Sequence, residues 1–110
     1  MQQAADVTVL GLTGRLDSTS APELGARLQE LVAAAKVRLL LDFSEITYLS
    51  SAGFRVLLIG ARLTADAGGN LVLCGLIPPV RRLFQIAAFD EVLEVHGTRQ
   101  DALARLSRAA

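Results

Sequence analysis

Leu39-Leu-Leu-Asp-Phe-Ser-Glu-Ile-Thr-Tyr-Leu-Ser-Ser-Ala-Gly-Phe-Arg-Val-Leu-Leu58 decides the fold, because an apolar strand pattern reaches a pair of serines and turns directly into a helical pattern. Val37 to Phe43 is apolar with almost no alternation, which predicts a central strand covered on both faces. Ser44 to Leu49 reads as a connection with apolar anchors. Phe54, Leu57, Leu58 and Ala61 then recur at helical spacing, with Arg55 and Arg62 on another face. Ser50 and Ser51 stand at the junction, with Gly53 just behind them. Serine is among the residues preferred as a helix N-cap, where its hydroxyl satisfies an orphan amide. A hydroxyl beside those amides and the positive end of the helix dipole also tolerates a phosphate well. Capping and phosphorylation are not exclusive, and the residues alone leave both open.

Upstream, Val7-Thr-Val-Leu-Gly-Leu-Thr13 is rich in β-branched residues and predicts a strand, from which Gly14-Arg-Leu-Asp17 leads away. Ser18, Thr19 or Ser20 can cap the next helix, which has Pro22 and Glu23 in its first turn. Leu24, Leu28, Leu31 and Val32 place that helix at about Ala21 to Ala35. Downstream, Gly68-Gly-Asn70 stops the second helix, and Leu71 to Cys74 is another buried strand. Pro78-Pro79 opens a third helix carrying Val80, Leu83, Phe84 and Ala87. Val92 to Val95 reads as a last short strand, and Thr98 can cap a final helix bearing Leu103 and Leu106. The order predicts an α/β fold: a mixed or largely parallel sheet of four to five strands with about four helices and right-handed crossovers. The 110 residues fit one domain spanning 1–110, with no linker or internal repeat.

Composition narrows the function. The 52% hydrophobic content with only 5% aromatic residues means a core of Leu, Val, Ile and Ala. Eleven basic and eleven acidic residues cancel, so nothing draws the molecule to nucleic acid. A partner is expected to be a protein recognised by shape and apolar contact. Cys74 stands alone, which excludes an internal disulfide and predicts a small buried hydrophobe. No run approaches the ~18 apolar residues of a membrane span, so no membrane insertion and a cytoplasmic setting are expected.

Catalysis needs convergent groups, and few are supplied. His96 is the only histidine, and a Gly-x-Ser-x-Gly elbow fails because Leu49 stands where the first glycine belongs. Phosphate-cradling glycine loops and metal-ligand clusters are missing, so no cofactor, metal or catalytic residue is expected. Asp17 and Asp42 are each expected at the carboxyl end of a strand, where function gathers in open α/β sheets. Each reads as a helix-cap or loop acid, kept as a candidate for its nearness to Ser51.

The chain resembles the STAS domain of bacterial anti-sigma factor antagonists. The likeness is carried by Gly14-Arg-Leu-Asp17, the apolar strand ending in Asp42, the serine pair with Gly53, Gly68-Gly69 before the next strand, and the Pro79-Val-Arg-Arg-Leu-Phe84 helix. The strand-to-helix turn of that family commonly reads Asp-Ser-Ser/Thr-Gly, and alignment through Gly53 makes Ser51 the implied phosphoacceptor. Ser50 stands where the family often has Asp, which makes it a second candidate acceptor, and Ala52 stands where Ser or Thr is common. The resemblance implies a partner-binding surface of Asp17, Ser50, Ser51, Gly53 and Arg55. It further implies that the unphosphorylated form binds an anti-sigma factor with serine kinase activity and releases a sigma factor, that phosphorylation of Ser51 ends the binding, and that a serine phosphatase resets it. The alternative is a non-cycling STAS scaffold or accessory subunit of a signalling or transporter assembly. A small-molecule-binding α/β domain is a more distant one.

Overall fold

The computed structural model describes residues 7–108. Its elements are β1 (Thr8–Leu16), α1 (Ala21–Ala33), β2 (Arg38–Leu49), α2 (Ser51–Asp66), β3 (Asn70–Cys74), α3 (Pro78–Ile86), a 3-10 turn (Phe89–Glu91), β4 (Glu94–His96) and α4 (Arg99–Arg108). The expected mixed or largely parallel sheet resolves, among the described residues, into four strands in the order β1-β2-β3-β4, every pair parallel.

That order dictates where the helices go. Each strand is followed by a helix and then by its immediate neighbour in the sheet, so right-handed crossovers of one direction stack α1, α2 and α3 on one face. Leu24, Leu28 and Leu31 of α1, Phe54 and Leu57 of α2, and Val80 and Phe84 of α3 accordingly share one core with Leu39, Leu41, Phe43, Leu71 and Leu73. The other face is left to the chain's last helix: Ala102 and Leu106 of α4 cover Leu40, Val72 and Cys74. Successive strand residues point to opposite faces, so covering both faces requires the unalternating run at Leu39–Leu41. Cys74 is buried in the smaller cluster, and burial pushes its thiol pKa up.

Helices α1 and α2 lie close together because glycines stand at their contact. A β-carbon on Gly60 would sit 2.6 Å from Leu28 Cδ1, and one on Gly25 would sit 3.2 Å from Val56 Cγ2. Thr64, fully buried further along α2, satisfies its hydroxyl by donating to the carbonyls of Gly60 and Ala61.

Three boundaries differ from expectation. Gly14-Arg-Leu16 does not lead away from the first strand but extends β1, staying paired with Ile46, Tyr48 and Leu49. Ser44 to Leu49 is strand, not connection: β2 continues beside β1 past register shifts at Gly11/Thr13 and Gly14/Arg15, well beyond the last residue that β3 pairs with. Ile46 and Leu49 turn into the core while Glu45, Thr47 and Tyr48 meet solvent, and that mixed composition hides a strand with only one neighbour. The last strand is Glu94–His96 rather than residues 92–95, because Val92, 61% exposed, follows the 3-10 turn and points away from the core.

Asp42 faces the α4 side. Its carboxylate accepts from the Ser44 amide at 2.9 Å and from Arg99 at 2.7 Å, fixing the start of α4, whose first turn Thr98 caps by accepting from the Asp101 amide at 3.1 Å. Further along, Arg105 and His96 converge on Glu94 at 2.9 and 2.8 Å. Partial burial raises the Asp42 pKa, but the Ser44 amide and Arg99 outweigh it and the net shift is downward. A lowered folded pKa stabilises above the unfolded value of about 3.9 and is lost as pH falls through the folded one. Asp42→Asn is therefore expected to cost about 1 kcal/mol in denaturant unfolding at pH 7, with the difference from wild type shrinking as pH falls below the unfolded value and the native carboxylate protonates.

Candidate functional site

The site begins where β1 and β2 end side by side, Leu16 opposite Leu49. The next residue, Ser50, is extended (φ −96°, ψ 175°) and donates its amide to the Leu16 carbonyl at 3.0 Å. Its hydroxyl accepts from the Gly53 amide at 3.4 Å, and its carbonyl accepts from the Phe54 amide at 3.0 Å. Ser50 is thus the N-cap of α2. Gly53 lies against the same strand ends: a β-carbon there would come within 2.6 Å of both the Leu16 carbonyl oxygen and Leu49 Cδ1. Glycine is a steric requirement at this place. Phe54 then anchors the first turn, its ring 5.0 Å from that of Phe84 and 3.5 Å from that of Phe89.

With the cap assigned to Ser50, Ser51 becomes the first residue of the helix proper. It is exposed, and its hydroxyl makes no hydrogen bond with any described residue. It stands at one end of a groove of about 360 Å³ between the N-terminal halves of α1 and α2. Ser18, Ala21, Pro22 and Gly25 form one wall, and Ser51, Ala52, Arg55, Val56 and Ile59 the other. Arg55, one turn beyond Ser51, is the only charged residue lining it among the described residues.

Asp17 organises the turn that brings Ser18 to the groove. Its carboxylate accepts from the amides of Thr19 (3.0 Å) and Ser20 (3.3 Å) and lies 3.6 Å from Arg15. The two amides, aided by Arg15, hold its pKa below the ordinary value. Ser20 occupies the N-cap position of α1 but does not cap it: its hydroxyl donates to the Arg15 carbonyl at 2.8 Å and accepts from the Asp17 amide at 3.0 Å.

The structure therefore brings Ser50, Ser51, Gly53 and Arg55 together on α2, with Asp17 behind the facing turn. Asp42 does not join them, since its side chain projects to the opposite face of the sheet and is held by Arg99. His96, bound to Glu94 on β4, does not line the groove. Sequence reasoning missed the α1 wall and Ile59; the spacing of Ile59, four residues beyond Arg55 and so on the same helix face, was the available signal.

The split between the serines has a direct consequence for stability. Ser50→Ala is expected to cost about 1 kcal/mol by loss of the cap, whereas Ser51→Ala stays within about 0.5 kcal/mol of wild type. Gly53→Ala, which drives a methyl into a backbone carbonyl, is expected to cost about 1–3 kcal/mol. Urea unfolding of the three variants checks the order.

Comparison with known proteins places this geometry in context. A family model described as "Mlab, STAS domain" matches residues 1–95. BtrV of Bordetella bronchiseptica, named as an anti-sigma factor antagonist, is 35% identical over 109 residues, spanning 99% of this chain and 94% of BtrV. The crystal structure of TM1081 from Thermotoga maritima superposes with a TM-score of 0.86 at 18% identity, covering 92% of this chain and 87% of that one. A sulfate transporter family protein from Wolinella succinogenes shares the fold, with a TM-score of 0.76 at 16% identity over 94% of this chain and 87% of its own.

Proposed function

The chain belongs to the STAS-domain family of anti-sigma factor antagonists, and on that premise we propose that it is a cytoplasmic binding protein switched by phosphorylation of Ser51. In this reading the unphosphorylated form docks an anti-sigma factor that is also a serine kinase, so that the sigma factor held there is released. The kinase then transfers the terminal phosphoryl group of ATP to Ser51 Oγ, the hydroxyl proton leaves, and ADP departs. A serine phosphatase restores the hydroxyl. This chain contributes a surface and an acceptor, and the partners supply the catalysis.

The observation that carries the reading is the free Ser51 hydroxyl at the head of α2, exposed while Ser50 does the capping. A kinase can reach it without breaking a hydrogen bond of the fold. The cost of the added charge also suffices. A phosphoserine carries about −2 at neutral pH, and a like-charge contact at ~4 Å in an effective dielectric of ~20 costs about 4 kcal/mol. About 2.7 kcal/mol already weakens binding a hundredfold. The amides at the start of α2 offset part of the charge, so the modified protein stays folded.

The likeness to a transporter-family protein favours one second reading, a non-cycling accessory subunit of a larger assembly. One experiment separates the two. With ATP and the cognate kinase, the protein is expected to gain the mass of one phosphate, a gain that Ser51→Ala abolishes. Ser51→Asp is expected to weaken capture of the anti-sigma factor at least tenfold with little change in melting temperature. No modification by an active kinase, together with equal capture by wild type and Ser51→Asp, favours the accessory subunit.

A further inference from the structure

Arg55 is exposed and has no hydrogen-bond or ion-pair partner among the described residues. It lines the same groove as Ser51, and none of the other described residues lining that groove is charged. The two are four residues apart on α2, the spacing at which helical side chains are neighbours, about 5–6 Å between β-carbons. The order is the favourable one, with the site of negative charge on the N-terminal side of the cation. A guanidinium also presents a planar fork of donors that matches phosphate oxygens two at a time.

We propose that Arg55 is the internal counter-ion of a phosphate on Ser51, which folds the new charge down into the α1–α2 groove and withdraws from the partner the cation it would otherwise meet. The proposal rests on Ser51 being the acceptor. It adds a second element to the switch. Before modification the groove offers one positive charge among apolar side chains of Ala21, Ala52, Val56 and Ile59. That surface suits a partner segment with a carboxylate set among apolar residues. After modification the same groove holds Arg55 and a group of about −2, for a net of about −1. The partner's acid then loses its counter-charge and faces a like charge. Repulsion and the loss of an attraction act on one contact.

The test needs neither kinase nor partner. Full-length protein carrying phosphoserine at position 51, introduced during translation, is titrated from pH 4 to 8 and followed by phosphorus NMR. An exposed phosphoserine has its second ionisation near pH ~6. The wild-type value is expected below that, and Arg55→Gln is expected to raise it by at least about 0.3 pH units. Arg55→Lys, which keeps the charge but not the fork, should fall between. Arg62→Gln, two turns further along the helix, should leave the curve unmoved. The helix start lowers the value in every variant alike, so the difference between wild type and Arg55→Gln isolates the arginine. Amide spectra check that each exposed substitution leaves the fold intact. Superimposable curves for wild type and Arg55→Gln would overturn the proposal, as would an equal shift from Arg62→Gln. Because the phosphate is installed without a kinase, failure of the functional reading leaves this outcome unaffected, and the converse also holds.

Discussion

The carbonyl of Leu16 is the point on which the geometry of the site depends. It accepts the Ser50 amide at 3.0 Å, and the α-carbon of Gly53 rests against it with no room for a methyl group. One backbone atom at the end of β1 thereby fixes both the last extended residue after β2 and the first turn of α2. Any bulkier residue at position 53 lifts the helix off the strand ends and moves the hydroxyl at 51 with it. The precision of the exposed serine comes from buried backbone packing, which is where a small protein can hold a position rigidly.

The sheet order has an equally plain effect on the rest of the molecule. A strand sequence that runs monotonically from β1 to β4 commits all three crossover helices to one face, and α4 packs on the other. That second face has a small core, five buried residues among those described, of which Ala102 and Leu106 belong to α4, and polar pairs from Asp42 to Arg99 and from Glu94 to Arg105 hold that helix in register. The two faces therefore divide their roles. The helix-rich face holds the larger core and carries the candidate site at its edge, while the α4 face closes the sheet.

Much of this was legible in the sequence because it is local. The leucine spacing of α1, the serines and Gly53 before Phe54, the proline pair opening α3 and Thr98 before α4 all act within a turn or two of themselves, and each element formed where its pattern placed it. What escaped is non-local. Ser44 to Leu49 pairs with a strand more than thirty residues away across two register shifts, and nothing in its own mixed composition reports that partner. Asp42 was expected near Ser51 because it read as the carboxyl end of the central strand, where function gathers in an open α/β sheet. The alternation of side chains across the sheet instead sends it to the other face, where Arg99, 57 residues on, meets it. The serine pair offered two hydroxyls for one cap, and only the position of Leu16 decides which of them is spent. The facing wall of the groove depends on how α1 crosses α2, which neither helix encodes alone.

That crossing has a further effect on how the surface works. At Gly25 and Gly60 the two helices touch through side chains of the opposite helix seated where a β-carbon is missing, and such a joint can neither slide nor widen without opening a void or forcing a clash. The trough above it is consequently preformed. An incoming protein finds its mould already cast, so little of the association free energy goes into ordering the receptor, and recognition can be quick to form and cheap to reverse.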